Sequence, residues 1–375
     1  MKVLVYSNCR LDPALGSGKT RIRFSEGLRA LGHSVRTVAP EEFEAWRAVR
    51  GGRRFRMAYG ALRHARRTLH ETNYDVIELN GGEFGWLASR LRRTARRPLL
   101  VHRTDGCELL ADDAKQRASA RERAAGLTVA TPFHHALDRA SFRDVDACVT
   151  LSELDRRFLV SRGLQPAERT LAVPPGLDGE FLHVSPPAAR APRIAFLGSW
   201  ISRKGVDALV PAAASVLTAW PGVTLDLLGT GADPAAVRAN FPPSVRARVE
   251  VAGRLSGQAV AERLAAAAIF VLPARYEGYG MAIAEAMACG CAVVTTRTGF
   301  GADLQDGKSA ILVGFDDVPA LSAAISRLIA NPQFCLELAA AGWNLVRSHR
   351  WCASVAAIEA AYVRWLGGPR TNPMR

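Results

Sequence analysis

Short apolar, β-branched runs alternate with longer helix-like segments from one end of the chain to the other. Val3–Ser7 reads as a first strand, Lys19–Leu31 as a helix closed by Gly32-His33, and Ser34–Val38 as a second strand. Further strands are expected at Asp75–Leu79, Pro98–Val101, Asp146–Leu151 and Thr170–Val173. Such runs suit the central strands of a parallel sheet that helices cover on both faces. The rhythm stops at His183–Pro192, where three prolines in ten residues read as a linker. It restarts at Arg193–Gly198 and continues through Val223–Leu228, Val249–Ala252, Ile269–Leu272, Ala292–Thr295 and Ala310–Val313, and Val318–Leu366 reads as helical. The pattern predicts an α/β chain of two doubly wound, Rossmann-like domains, 1–182 and 193–351, joined by the linker 183–192. A C-terminal helix at about 352–368 is expected to pack back on the first domain. In such sheets ligands bind at the carboxyl ends of the strands, and two facing domains form a cleft. The uncharged run Ala208–Leu225 resembles a membrane span, but Pro211 and Pro221-Gly222 interrupt it, so it reads as helix, turn and strand start.

At 375 residues the chain is too long for one ordinary core, which agrees with two domains. Hydrophobic residues at 49% and charged residues at 22% are globular values. The seven cysteines (Cys9, Cys107, Cys148, Cys289, Cys291, Cys335, Cys352) are odd in number and scattered, so reduced thiols in a cytoplasmic protein are expected. Cys289-Gly290-Cys291 has the wrong spacing for a zinc knuckle, and no metal is expected. The N-terminal run Val3–Tyr6 meets Arg10 and Asp12 too soon for a signal peptide.

The net charge of +14 is concentrated. Eight arginines lie between Arg47 and Arg67 without an acid among them: Arg47, Arg50, Arg53, Arg54, Arg56, Arg63, Arg66 and Arg67. Trp46, Phe55, Met57, Tyr59 and Leu62 are interleaved, and a second cluster is Arg90, Arg92, Arg93, Arg96 and Arg97. Aromatic and apolar residues among arginines suit an anionic membrane surface, here the inner face. A solvated helix face is the plain alternative. Nucleic acid is disfavoured, because no recognised binding module accompanies the charge.

Three segments carry candidate chemistry. In Ala274–Gly290, Glu277 lies in a glycine-rich loop after the run Ile269–Leu272, and Glu285 lies eight residues on in a helix-forming run from Met281. A strand, a glycine loop and a helix N-terminus make an anion site, because free N–H groups and the helix dipole point at the loop. Carboxylates beside it make sense if the anion carries hydroxyls, as a nucleotide sugar does. Glu285 sits among Ala, Met and Ile, which does not suit a solvated face. In Gly198–Gly205, Arg203 and Lys204 follow a strand and precede a helix, well placed for a pyrophosphate. Gly16-Ser17-Gly18-Lys19-Thr20 tempts a P-loop reading, but Pro13 stands where that pattern needs glycine. A glycine loop on the acceptor side fits better.

With these residues in place, the second domain resembles that of retaining glycosyltransferases with the GT-B fold, the glycosyltransferase family 4-like or group 1 enzymes. The match rests on Gly198, Lys204-Gly205, Leu228–Gly231, Gly253, Leu255-Ser256, Pro273–Gly290, Asp306-Gly307 and Leu312-Val313. The first half matches more weakly, through Gly16–Gly18, Leu31–Val35, Tyr74–Ile77 and Pro175–Asp178. The resemblance implies a metal-independent transfer of a sugar from a nucleotide diphosphate to a hydroxyl acceptor, either glycan or lipid-linked, in cell-surface polysaccharide assembly. It implies that Glu277 contacts the donor sugar, that Gly278, Tyr279, Gly280 and Met281 present N–H groups, and that Glu285 binds ribose. Lys204 and Arg203 would neutralise the diphosphate, beside Gly198, Ser199 and Gly229. Three departures stand out: Ser199 where the group has arginine, Asp105 where it has a histidine with His102 three residues early, and Thr298-Gly299-Phe300-Gly301 for two adjacent glycines. Asp105 or His102 would then supply the first domain's catalytic contact, with Gly16, Ser17 and Gly18 beside the acceptor. A nucleotide-sugar epimerase and a non-catalytic nucleotide-sugar-binding protein are the rival readings on this fold.

Overall fold

A computed structural model describes residues 1–13, 15–94, 97–107, 109–111, 132–184, 190 and 192–368. Its strands form two six-stranded parallel sheets. The first contains β1 (Lys2–Ser7), β2 (Ser34–Val38), β3 (Val76–Asn80), β4 (Leu99–Arg103), β5 (Ala147–Thr150) and β6 (Thr170–Ala172), in the order β2-β1-β3-β4-β5-β6. The second contains β7 (Arg193–Leu197), β8 (Thr224–Leu228), β9 (Val249–Val251), β10 (Ile269–Leu272), β11 (Ala292–Thr296) and β12 (Ile311–Val313), in the order β12-β11-β10-β7-β8-β9. Val3 lies opposite Val76 in the first sheet, and Ile194 opposite Ile269 in the second. β3, β4, β5, β10 and β11 are buried along their whole length, and β10, Ile-Phe-Val-Leu, accordingly reads as an unbroken apolar run. In each sheet the winding reverses once, at β1/β3 and at β7/β10. Loops leaving two such strands diverge to opposite faces and open a crevice at their carboxyl ends.

The chain divides into two compact units, Met1–Gly176 with Trp351–Arg375, and Leu177–Arg350. The division falls before the proline-rich segment, at Gly176–Leu177. The Leu177 N–H bonds the His349 carbonyl at 3.1 Å, and Leu177 forms a parallel bridge with Arg350. These contacts tie residues from Leu177 onward to the second unit. Of the proline-rich segment, 185–189 and 191 lie outside the described residues. Arg190 donates to the carbonyls of Ala267 (2.7 Å), Gly290 (2.6 Å) and Cys289 (2.9 Å), satisfying oxygens just past the ends of two helices, Gly257–Ala266 and Met281–Ala288.

The last helix, Trp351–Gly367, belongs to the first unit. Trp351 meets Phe24 edge-on at 5.3 Å, and a Cβ on Gly27 would overlap Val355. Tyr362 donates to Glu78 at 2.5 Å, and Glu78 is paired at 2.6 Å with fully buried Arg103. Burial acts to raise the Glu78 pKa, but the Arg103 charge and the hydrogen bonds from Arg103, Tyr362 and Asn80 outweigh it, so the carboxyl is held below its ordinary range. In the second unit, Ala208–Leu225 is resolved as the helix Val206–Ala219, a turn and the start of β8. Among the described residues no helix is long and apolar enough to cross a membrane.

The arginine clusters are partly used inside the fold. Arg56 is buried and pairs with Glu44 at 2.8 Å, and Arg54 pairs with Asp138 at 2.6 Å. Arg92 reaches Asp144 at 3.4 Å, and Arg97 pairs with Asp146. Arg96 lies outside the described residues. Arg47, Arg50, Arg63, Arg66 and Arg67 remain exposed, beside Trp46, Val49 and Phe55, which are 52%, 57% and 44% exposed. Trp46 stacks on Tyr59 with ring centroids 4.9 Å apart.

Candidate functional site

The carboxyl ends of β7 and β10 carry the two candidate segments of the second unit. After β7 the chain runs through Gly198 and exposed Ser199 into the short 3-10 turn Ser202–Lys204, then Gly205. Gly205 has φ +74°, and a Cβ there would overlap the carbonyl oxygen of Pro273, so only glycine allows this close approach. The approach clamps the two loops together: the Arg275 N–H bonds the Arg203 carbonyl at 2.9 Å, and the Arg203 guanidinium bonds the Tyr276 carbonyl at 2.8 Å. The Lys204 stem lies over Gly198, whose Cβ position would be 3.3 Å from Lys204 Cε. The neighbouring strand ends are zipped to the same edge by bonds from Gly198 N to Leu228 O (3.0 Å), Trp200 N to Thr230 O (2.9 Å) and Gly229 N to Gly253 O (3.2 Å).

The geometry converges on Glu277, which is 6% exposed. Lys204 Nζ lies 2.7 Å from Glu277 Oε1, and Arg203 Nη1 lies 3.6 Å from it. The lysine contact is a close, buried ion pair, with Lys204 15% and Glu277 8% exposed at their side chains. The backbone of Glu277 is fixed from the far side, where its N–H bonds Thr298 Oγ1 at 2.9 Å. Thr298 is a contributor the motif alone did not reveal, because it stands 21 residues away on the loop after β11. Phe300 N in turn bonds Tyr279 O at 2.6 Å. Gly280, left-handed at φ +86°, is the N-cap of the helix Met281–Ala288, so Met281 opens a helix N-terminus. That leaves first-turn N–H groups directed at the loop. Glu285 is buried on the same helix, 6% exposed. The Tyr279 ring is buried against Phe300 at 5.2 Å, with its hydroxyl 3.4 Å from His349 Nδ1, and burial raises its pKa strongly. Its side chain is structural, and its backbone is what faces the loop.

The first unit treats its candidates differently. Gly16, Ser17 and Gly18 form the first turn of the helix Gly16–Ala30, three residues earlier than the apolar pattern starts it. Thr20 Oγ1 bonds both Ser17 O (2.8 Å) and Asp105 Oδ1 (2.9 Å), and Arg21 pairs with the same oxygen at 2.6 Å. Asp105 is thereby held through Oδ1, with Oδ2 buried and lacking a hydrogen-bond partner. His102 lies on the adjoining strand. It stands fully buried within β4, with its ring 4.4 Å from Phe142 and neither nitrogen bonded. Burial, reinforced by Arg21, lowers its pKa to about 3.

Two parallel, doubly wound units, with a cation–carboxylate pair at the switch point of one, define a nucleotide-type α/β protein. Residues 191–331 match the family described as glycosyl transferases group 1, and residues 16–176 match the glycosyl transferase 4-like domain. The chain belongs to this family of glycosyltransferases with the GT-B fold. Similar proteins include a GDP-mannose-dependent monoacylated alpha-(1-6)-phosphatidylinositol monomannoside mannosyltransferase of Corynebacterium glutamicum, 29% identical over 53% of this chain and 57% of that one. A D-inositol 3-phosphate glycosyltransferase of Segniliparus rotundus is 28% identical over 61% of this chain and 55% of that one. The chain thus matches little more than half the length of these two relatives. Among solved structures, the sucrose-phosphate synthase of Thermosynechococcus elongatus superposes with a TM-score of 0.80 at 20% identity, covering 97% of this chain and 98% of that one. WaaG, a glycosyltransferase involved in lipopolysaccharide biosynthesis, superposes with a TM-score of 0.76 at 19% identity, covering 98% and 100%. At such identities these likenesses bear on the fold alone.

Proposed function

We propose that the protein is a retaining, metal-independent glycosyltransferase that takes a nucleotide-diphosphate sugar and passes the sugar to a hydroxyl acceptor. One observation carries the reading: buried Glu277 stands at the carboxyl end of β10 with two cations on its carboxylate, Lys204 at 2.7 Å and Arg203 at 3.6 Å. A sugar hydroxyl would donate to the Glu277 carboxylate, while the diphosphate would engage Lys204, Arg203 and the N–H groups at Met281. Glu285 would hold the ribose, beside Gly198, Gly229, Gly278 and Gly280. As the bond from the anomeric carbon to the β-phosphate oxygen breaks, its electron pair stays on the diphosphate. The acceptor oxygen forms the new glycosidic bond and its proton passes to the leaving phosphate. Negative charge grows on the diphosphate, so fixed cations stabilise the transition state more than the ground state. Arg203 supplies, in this reading, the second charge that Ser199 does not. Asp105, held by Arg21 and Thr20, orders the acceptor side rather than acting as a free base. The metal-free mechanism follows from these cations, which serve where a divalent ion otherwise would.

A thermal-shift panel of UDP, GDP, ADP, CMP and dTDP tests the donor site. A nucleotide at 100 times its Kd adds about 2.7 kcal/mol of stability, and no shift with any of the five would sink the reading. Turnover that consumes donor without any acceptor, yielding an isomerised nucleotide sugar, would instead favour the epimerase. A lipid-linked acceptor at a membrane surface is favoured by the exposed Trp46, Val49 and Phe55 among exposed arginines, and by relatives whose names include a phosphatidylinositol mannoside substrate. Each such cation is worth about 1 kcal/mol near anionic lipid. Pelleting with anionic vesicles at low salt should therefore exceed pelleting at high salt, and no pelleting at either removes the membrane part.

A further inference from the structure

Asp105 follows one strand and is gripped from one helix, and the C-terminal helix Trp351–Gly367 touches both; all three lie in one unit. The strand is β4. Its last residue, Arg103, is fully buried two positions before Asp105. Arg103 Nε donates to Glu78 Oε1 at 2.7 Å, and Nη2 lies 2.6 Å from the same oxygen. Asn80 Nδ2 also donates to Glu78 Oε1, at 3.0 Å, and to the Tyr6 carbonyl. Glu78 Oε2 takes the Tyr362 hydroxyl, 2.5 Å away on the C-terminal helix. Burial and then the Glu78 charge raise the Tyr362 pKa well above its ordinary value, so the hydroxyl keeps its proton and donates it. Burial by itself would lower the Arg103 pKa, but Glu78, Tyr362 and Asp105 together reverse the shift, which places Asp105 within electrostatic reach of the guanidinium. The gripping helix is Gly16–Ala30, whose Thr20 and Arg21 bond Asp105 Oδ1 at 2.9 and 2.6 Å. One turn on, the Phe24 ring meets the Arg103 guanidinium at 4.4 Å and Trp351 edge-on at 5.3 Å. A Cβ on Gly27 would overlap Val355, so the two helices pack closely there, and His33 beyond them bonds Glu359 at 2.9 Å.

We propose that the C-terminal helix positions Asp105, with Tyr362 acting through Glu78 and Arg103, and Trp351 acting through Phe24 and the helix that carries Arg21. Tyr362 and Trp351 are thus positioning residues. A satisfied buried polar network holds its members in one arrangement. For its effect in turnover the inference rests on the glycosyltransferase reading, while the coupling itself rests on these contacts. Tyr362→Phe removes one hydroxyl and keeps the ring. Hydrogen exchange of the full chain reads the loop amides of Thr104, Gly106 and Cys107, which bond Val149 O, Thr104 Oγ1 and Asp155 Oδ2. Exchange there should rise about tenfold, the weight of one hydrogen bond to a charged group, with β2 unchanged. In turnover the acceptor KM should rise about tenfold and the nucleotide Kd stay within about twofold, because the donor candidates lie in the other unit. On an Asp105→Asn background, Tyr362→Phe should change the acceptor KM no further, since both act along one chain of contacts. Should circular dichroism show Tyr362→Phe unfolded, Trp351→Leu gives the same readings through Phe24. Exchange that rises equally across the unit, or nowhere, would overturn the coupling, as would an unchanged acceptor KM or additive effects in the double variant. If no nucleotide binds and no sugar is transferred, the glycosyltransferase reading falls, and exchange at the three loop amides alone decides the coupling.

Discussion

Replacing Lys204 with alanine separates the two roles of the pair it forms with Glu277. Lys204 is 15% exposed and Glu277 8% exposed at their side chains, with 2.7 Å between Nζ and Oε1. Removing one partner of a fully buried pair costs about 3–5 kcal/mol, because the other charge is left desolvated. Here the site is partly open, and Arg203, 37% exposed and 3.6 Å from the same oxygen, remains as a weaker partner. The loss of stability should therefore be smaller, about 1–3 kcal/mol, read as a drop in melting temperature of the free protein. The loss of activity should be larger. A fixed charge aimed at a developing anion is worth about 2.7–4 kcal/mol, or about 10²–10³ in kcat. Initial rates of nucleoside diphosphate release, with nucleotide affinity by calorimetry, measure both terms. The expected pattern is a fall of at least 10² in kcat/KM, weaker binding of the diphosphate, and unchanged binding of the free nucleoside. A Lys204→Ala enzyme within threefold of wild-type kcat/KM and with unaltered diphosphate affinity would refute the assignment of Lys204 to the leaving group.

Gly205→Ala should destabilise the second unit by about 2–4 kcal/mol, since it adds a left-handed strain to an overlap with Pro273 O. Chemical denaturation checks this, and a change under about 0.5 kcal/mol would mean that the two loops separate at little cost. His102 makes stability pH-dependent: its pKa is about 3 when folded, against about 6.5 when unfolded. Between those values the unfolded chain binds the extra proton, so stability is full above pH 6.5 and falls by about 1.4 kcal/mol per unit as the pH drops towards 3. Urea titrations at pH 7 and pH 5 should show a smaller acid loss for His102→Leu than for wild type, and parallel losses would contradict the burial argument.

Much of the architecture is written locally. Central strands such as β10 and β11 are buried on both faces, so their apolar character survives any change of neighbours and marks them in the chain itself. The Glu277–Glu285 segment is legible for the same reason, because strand, loop, helix start and both carboxylates lie within one continuous stretch. Pairing across the chain is another matter. Lys204 and Glu277 are 73 residues apart, and Arg54 and Asp138 are 84 apart, so only the sheet's winding brings them within bonding distance. Composition counted the arginines between 47 and 67 as one basic face, yet Arg54 turns to Asp138, 84 residues on, and Arg56 is buried against Glu44. His102 could be a ligand or a core residue on sequence alone, and its position within β4, against Phe142, decides for the core. Local hydrophobic period names the elements because burial acts on each residue separately. Which charges meet depends on strand order, and strand order is settled only when all six strands of a sheet pack together.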